Sequence, residues 1–373
     1  MNTMTLLGID IGKHSFHLHG QDSKGHQVLR KKTNRGQLLS TLAQLPACTV
    51  VMESCGGAHW LARQIGALGH EVKLIAPQYV KPFVKGNKND FIDAEAICEA
   101  ASRPAMRFCS IKTAEQQTLS ALHRVRESLI GHRTVATNQI HGFLLEFGIS
   151  LPIGVTALHR VPALLDDPQH PVPVRLKGVV MRLHRQIQQL NDEIKDIESD
   201  LKQQLKEDDA GSRLQSIPGI GPITASAVLA DVGDASNYRS GRDFAASLGL
   251  VPKQYSTGGK TVLQGISKRG DKHIRQLLVQ GARALMQHID KREDALGPWV
   301  RELLTRRHAN VVACALANKL ARIVWAVLAK GGHVRPTIRT FEPTALPPAF
   351  ATSLTDDSKR HMARLRTWHK NQL

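Results

Sequence analysis

Four carboxylates in the first quarter of the chain, Asp10, Glu53, Asp90 and Asp93, have the types and spacing needed to hold metal ions. Asp10 closes the apolar run that starts at Met4, Glu53 closes a second run from Cys48 to Met52, and Asp90 and Asp93 stand three residues apart. That last spacing puts both on one face of a helix. Carboxylates gathered at one point repel each other unless cations neutralise them. Hard oxygen ligands suit Mg²⁺, and two such ions about 4 Å apart can stabilise the attacking and leaving oxygens of a phosphodiester displacement. Taken singly, each residue has a plainer reading: Asp10 caps the turn at Gly12, Glu53 caps the helix that follows it, and Asp90 and Asp93 decorate an exposed helix start. Their joint placement is what points to chemistry.

The elements that must position them follow from hydrophobic periodicity. Met4 to Asp10 reads as a buried strand, Ser15 to Gly20 as an alternating one, and His26 to Lys32 as a third after the turn Asp22-Ser23-Lys24-Gly25. A short helix from Gln37 to Leu45 leads to the strand Cys48 to Met52. Gly56-Gly57 then turn into a helix through Leu68, and Glu71 to Ala76 forms another strand before Pro77. The order βββαβαβα is that of the ribonuclease H fold, a mixed sheet with helices on its faces. In that order the first and fourth strands are neighbours and the last helix packs beside them, so the four carboxylates converge. The actin-like and sugar-kinase fold shares a Gly-Ile-Asp-Ile-Gly opening like Gly8 to Gly12. It also needs a second Asp-x-Gly phosphate loop after a strand, and the one candidate, Asp231-Val232-Gly233, follows a helix-like run.

Bulk properties point to a polyanionic partner. The 373 residues carry 50 Lys and Arg against 32 Asp and Glu, a formal net charge of +18. Cations that neutralise phosphates release condensed counterions and gain affinity from it, so nucleic acid is the default partner. From Arg301 to Leu373 there are 13 Lys and Arg against 4 Asp and Glu, so half of the excess sits in the last fifth of the chain. Five cysteines without a CxxC pair argue against a disulfide framework or a zinc site. There is no signal-like N-terminus and no run near the roughly 18 apolar residues of a membrane span, so the expectation is a cytoplasmic protein. The length suggests two or three domains.

Beyond the carboxylates, Ala114 to Phe147 has helical character with His123, Arg124, Arg126, His132 and Arg133 interleaved among apolar residues. Prolines 152, 162, 168, 171 and 173 mark a linker. Leu176, Val180, Leu183, Ile187, Leu190, Ile194, Ile197 and Leu201 then follow at alternating spacings of four and three, the pattern of a coiled coil, from which self-association is expected. Ile217-Pro218-Gly219-Ile220-Gly221-Pro222 makes a tight turn before the helix Ile223 to Ala230. It reads either as a plain interhelical turn or as a helix-hairpin-helix module whose Gly219 and Gly221 free backbone N–H groups for phosphate. Helices from Asp271 to His288 and Val311 to Ala329 precede a basic, Pro-rich tail.

With these features in place the chain resembles the DEDD insertion-sequence transposases of the one-ten family, relatives of the Piv DNA invertase. The resemblance runs to about Gly332 and is carried by Gly8-Ile9-Asp10, Glu53-Ser54, Lys88-Asn89-Asp90-Phe91-Ile92-Asp93-Ala94, the Ile217 to Gly221 turn and Leu248-Gly249-Leu250-Val251-Pro252. Gln254-Tyr255-Ser256-Thr257-Gly258-Gly259-Lys260 and Gly265-Ile266-Ser267-Lys268-Arg269-Gly270-Asp271 complete it; the phrase around Ser256 is most similar to the eleven-eleven subgroup. The resemblance implies a bridge-RNA-guided recombinase. Its RuvC-like domain, with the ribonuclease H fold, would bind Mg²⁺ at Asp10, Glu53, Asp90 and Asp93, and a C-terminal transposase domain would supply a serine nucleophile. Family members pair a structured guide RNA with target and donor DNA and act as homo-oligomers, dimer to tetramer, in which different protomers meet at one scissile phosphate.

The serine carried over is Ser256, although an ungapped match puts Thr257 at that position; a primary hydroxyl is less hindered for attack on phosphorus. Either needs a base or a metal to activate it, and a Ser-Thr-Gly-Gly turn is the plainer reading. Lys260, Lys268, Arg269, Lys272 and Arg275 surround the segment as phosphate contacts or as a solvated face. The expected division is 1–110 for the RuvC-like α/β domain, 111–210 for the coiled-coil helical region, 211–332 for the mainly α-helical transposase domain and 333–373 for the tail. A RuvC-like, structure-selective nuclease that uses water, and a non-catalytic nucleic-acid scaffold, are the alternative functions.

Overall fold

The computed structural model describes residues 3–332 apart from 86–88, 153, 170–171 and 234. Lys88 of the Lys-Asn-Asp-Phe-Ile-Asp-Ala segment, Pro171 of the linker and the basic tail 333–373 lie outside the described residues. The chain divides into two compact units, one ending at Gln117 and one starting at Thr118.

The first unit is an α/β sheet structure. Strands β1 (Met4–Ile11), β2 (Ser15–Asp22) and β3 (Gln27–Asn34) run as an antiparallel meander, and helix α1 (Arg35–Ala43) leads to β4 (Thr49–Glu53). Helix α2 (Ala58–Ala67), strand β5 (Glu71–Ile75), the single turn α3 (Pro77–Val80), helix α4 (Asp90–Ala101) and the short β6 (Phe108–Cys109) complete it. The strand order is β3-β2-β1-β4-β5-β6, with β4 parallel to β1 and β5 parallel to β4. Alternation along the strands assigns the two faces. Leu7, Ile9, Val50, Met52 and Leu74 pack with Leu38, Leu42, Leu61 and Ile65 of α1 and α2. Val51 and Ile75 pack on the other side with Ala96, Ile97 and Ala100 of α4. Asp22 holds the β2–β3 turn, its carboxylate accepting from the backbone N–H groups of Lys24 and His26, both at 2.9 Å.

The second unit is helical apart from one ribbon. Helix α5 (Ala114–Leu145) carries the chain out of the first unit, and α6 (Val155–His159) and α7 (Val161–Asp166) occupy the proline-marked stretch, which is therefore partly helical. Pro162 fits because the first turn of a helix does not need its N–H. Helix α8 (Val174–Lys206) returns antiparallel to α5: Arg126 donates to Glu198 at 2.6 Å, and one heptad further along both helices Arg133 donates to Asn191 at 2.9 Å. The apolar stripe expected to drive self-association is thus covered within the chain. Val180 and Ile187 pack with Ala136, Ile140 and Leu144 of α5, and Ile194 and Leu201 are buried as well. The stripe needs no second copy.

Beyond it come α9 (Asp209–Gln215), α10 (Pro222–Val232), α11 (Gly241–Ser247), the antiparallel ribbon β7 (Pro252–Thr257) and β8 (Lys260–Ile266), α12 (Lys272–Gln287), α13 (Leu296–Arg306) and α14 (Ala309–Lys330). Helix α14 is the axis of this core, with Val312, Leu316, Leu320 and Val324 buried and the helix packed against α9, α11, α12 and α13. It also has the length and hydropathy of a membrane span, a property it shares with the core helices of many globular proteins. The run Asp231-Val232-Gly233 ends helix α10 rather than following a strand, which removes the second phosphate loop that the actin-like fold requires.

One buried polar contact ties α5 to α10. His123 Nε2 lies 2.6 Å from Ser226 Oγ, and the His123 ring meets that of His273 edge-on at 5.4 Å. Burial first, then the neighbouring His273, pushes the His123 pKa down to about 4 from its ordinary 6.5. A histidine held neutral in the fold but free to protonate when unfolded contributes stability that is complete above its unfolded pKa and is lost as pH falls toward the folded value. Denaturant unfolding of the second unit between pH 7 and pH 4 is expected to lose on the order of 3 kcal/mol through this group. In His123→Gln, which keeps a donor but cannot titrate, that slope should flatten.

Candidate active site

Asp10 and Glu53 reach one site because of strand parity and neighbouring strands. On β1, Gly8 faces α4, where a Cβ at this position would lie 2.4 Å from the Ala94 carbonyl oxygen and 2.8 Å from Cys98 Sγ. Two residues on, Asp10 faces the same way. On β4, Val51 packs against α4 and Glu53 follows it with the same parity. Helix α4 starts at the right place because Asn89 caps it, its side chain accepting from the Phe91 N–H at 3.0 Å. Asp90 and Asp93 therefore fall in the first turn, where the helix dipole favours negative charge.

The result is a cluster in which carboxylate oxygens of Asp10, Asp90 and Asp93 all lie within 4.8 Å of one another. Glu53 stands close by: burial, then the charges of Asp10 and Asp93, pushes its carboxyl above the ordinary range. Burial, then the charges of Glu53 and Asp10, raises the Cys55 thiol. A residue absent from the sequence reading completes the surround. His17, in register with Asp10 across β1 and β2, is buried with Nδ1 3.9 Å from Asp10 Oδ2 and 3.6 Å from Asp90 Oδ2. That nitrogen has no hydrogen-bond partner among the described residues. Its ring packs edge-on to Phe91 at 4.7 Å, and the Arg30 guanidinium lies over the same phenyl ring at 4.3 Å. Crowded oxygens beside an orphaned buried nitrogen form a donor set that fits a hard divalent cation. The sequence signal for His17 was its alternation on β2 opposite Asp10, which a strand reading alone treats as core.

Ser256 belongs to the second unit, near the tip of the ribbon. Thr257 and Lys260 pair across Gly258 and Gly259, both at positive φ, so the tip is a two-residue hairpin turn and Ser256 sits in a strand rather than in the turn itself. Ser256 is exposed and accepts from Gln254 Nε2 at 2.9 Å. Parity puts Ser256 and Thr257 on opposite faces of the ribbon.

The two sequence markers that flank the ribbon form its base. At Gly249 and Gly270 the two legs cross backbone to backbone, since a Cβ on Gly270 would stand 1.6 Å from the Ser247 carbonyl oxygen and one on Gly249 would stand 2.2 Å from that of Arg269. Arg275 is buried and its guanidinium donates to the carbonyls of Leu248, Arg269 and Asp271 at 2.8, 3.1 and 3.2 Å. The expectation that Arg275 contacts phosphate is corrected accordingly: its charge is spent on closing the ribbon's base. Lys260, Lys268, Arg269 and Lys272 are exposed around it. Gly219 and Gly221 lie in the turn that joins α9 to α10. Gly219 packs on Gly281 of α12, whereas Gly221 faces open space at the start of α10.

Two family models match this chain. The DEDD transposase model of the IS110 type covers residues 7–149, and the model described as "Transposase IS116/IS110/IS902 family" covers residues 211–296. The chain is 56% identical over 89% of its length to the transposase for insertion sequence element IS1328 of Yersinia enterocolitica, spanning 98% of that protein. It is 46% identical over 89% of its length to a probable family 20 transposase of Pseudomonas aeruginosa, spanning 99% of that protein. It is 42% identical over 88% of its length to the transposase for insertion sequence element IS1111A of Coxiella burnetii, spanning 91% of it. The chain belongs to the IS110/IS116/IS902 family of transposases, enzymes of DNA transposition.

The convergence of Asp10 with Asp90 and Asp93 depends on the close approach of α4 to β1 at Gly8. Gly8→Ala is expected to push α4 outward and destabilise the first unit by about 1–3 kcal/mol, measured as a lower denaturation midpoint.

Proposed function

We propose that the chain is a DNA strand-exchange transposase in which the carboxylate cluster and Ser256 act on one scissile phosphate. The observation that carries this reading is the meeting of Asp10, Asp90 and Asp93, with Glu53 beside them, on one face of a sheet in a strongly basic chain. The first unit is read as a ribonuclease-H-like, RuvC-like domain. Supporting this are three antiparallel strands followed by β4 and β5 parallel to β1, and carboxylates at the ends of the adjacent β1 and β4. The division of the second unit into a helical region to about residue 210 and a transposase domain from 211 is supported by its two separate hydrophobic clusters.

Asp10, Glu53, Asp90 and Asp93 would hold Mg²⁺, which when bound supplies charge stabilisation at the reacting phosphate. Ser256 Oγ forms a bond to phosphorus as the bond from phosphorus to the 3′ oxygen breaks. The hydroxyl proton passes to a base and the departing 3′ oxygen takes up a proton, leaving a 5′-phosphoserine link. Attack by a partner 3′-hydroxyl reverses these steps and releases the serine. The exposed ribbon tip suits a nucleophile that must reach a large substrate. Lys260, Lys268, Arg269 and Lys272 offer phosphate contacts around it, and the turn at Gly219 and Gly221 offers backbone N–H groups at the start of α10.

Guidance by a structured RNA, kinship with the Piv invertase and assembly to a tetramer rest on the resemblance set out from the sequence. The net charge of +18 accords with an RNA as well as a DNA partner. Since α8 spends its stripe inside the chain, self-association would fall to apolar side chains left exposed on α5, among them Val125, Val135, Phe143 and Leu145.

Asp10→Ala should abolish strand exchange with the fold intact by circular dichroism; full recombination by that variant refutes the metal role. A protein–DNA adduct should be trapped with the parent chain and lost in Ser256→Ala. An adduct that survives Ser256→Ala but vanishes in Thr257→Ala moves the nucleophile to Thr257, and absence of any adduct alongside Mg²⁺-dependent nicking reduces the protein to a nuclease. Sequencing the RNA that co-purifies with the protein should return one discrete structured species.

A further inference from the structure

We infer that His17 is a further donor of the cation site, its Nδ1 binding the same ion as Asp10 and Asp90. The inference rests on the reading of the carboxylates as a metal centre and adds to it a nitrogen ligand. Three observations carry it. Nδ1 is buried, aimed at the cluster and without a hydrogen-bond partner among the described residues, which is rare for a polar atom in a protein interior. Its separations from Asp90 Oδ2 and Asp10 Oδ2, 3.6 and 3.9 Å, are too long for hydrogen bonds. They suit donors that share an ion, since ligands about 2.1 Å from one cation stand roughly 3–4 Å from each other.

The ring is also held for this task. His17 sits on β2 in register with Asp10 on β1, so one strand pair presents a carboxylate and an imidazole side by side. Phe91, between Asp90 and Asp93 in sequence, packs edge-on to the imidazole and is itself covered by Arg30. A side chain serving only as core filling would not need its one orphaned nitrogen turned toward three carboxylates.

A neutral imidazole adds a donor without adding negative charge. It also changes selectivity: oxygen-only sites suit Mg²⁺, whereas first-row transition-metal ions accept an imidazole nitrogen more readily, so Mn²⁺ should bind more tightly than Mg²⁺.

The experiment uses the full chain loaded with Mn²⁺. Pulsed electron paramagnetic resonance should detect a directly bonded ¹⁴N in the parent protein and in none of the His17 variants. His17→Asn, which puts an amide oxygen near the place of Nδ1, should still bind Mn²⁺ but lose the nitrogen coupling and the preference over Mg²⁺. His17→Phe should weaken Mn²⁺ binding by about tenfold or more with its circular dichroism unchanged. If Mn²⁺ binds, is displaced in Asp10→Asn, and yet shows no bonded nitrogen, the inference about His17 is wrong while the carboxylate site stands. Nitrogen coupling that persists in His17→Asn overturns it equally. If the parent chain binds no Mn²⁺, or Asp10→Asn leaves binding untouched, the carboxylate reading falls and takes His17 with it.

Discussion

Three carboxylates with oxygens inside 4.8 Å of each other are a strain on any fold, and the first unit is organised around tolerating it. The repulsion is visible at Glu53, whose carboxyl is pushed up by burial and then by Asp10 and Asp93. What holds the groups together is the approach of helix α4 to strand β1, a contact so close at Gly8 that a single methyl group would meet the Ala94 carbonyl. From that contact follow the packing of Ala96, Ile97 and Ala100 on Val51 and Ile75, the start of the helix at its Asn89 cap, and the delivery of Asp90 and Asp93 beside Asp10. Charge that costs stability in the free protein is charge available to bind a cation.

The second unit meets a different constraint, an exposed ribbon that carries Ser256 and must be anchored at its base. A two-stranded ribbon alone is marginal in water. Here its legs cross at Gly249 and Gly270, and Arg275 is sunk beneath them with three carbonyl partners. Below that lies the apolar core around α14. The tip bearing Ser256 can therefore be exposed without the base being loose. The carboxylates and this hydroxyl fall in different units of the chain.

The sequence made the first unit largely legible because its strands alternate cleanly and its carboxylates sit at strand ends and a helix start, where parity alone decides their direction. The meeting of Asp10, Asp90 and Asp93 was legible from those placements, with Glu53 expected beside them. His17 could not, because an apolar-flanked histidine in a strand looks like core until its register with Asp10 is known. Arg275 was misread for a related reason: a cation in a basic segment looks like a surface charge, and only the crossing of the two glycine-bearing legs creates the carbonyl cage that buries it. The heptads of α8 were read correctly as a helical stripe, but periodicity cannot say whether the covering surface is a second chain or, as here, other helices of the same one.

The central claim is that the carboxylate cluster is strained without a cation and relieved by one, and melting temperature in the presence and absence of Mg²⁺ or Mn²⁺ tests it most directly. Asp93→Asn removes one repelling charge with little change of shape. The account predicts that this variant melts higher than the parent chain when divalent ions are chelated and gains nothing when they are added, whereas the parent gains several degrees. A variant that melts lower than the parent without ions, or keeps the same ion-dependent gain, would contradict it.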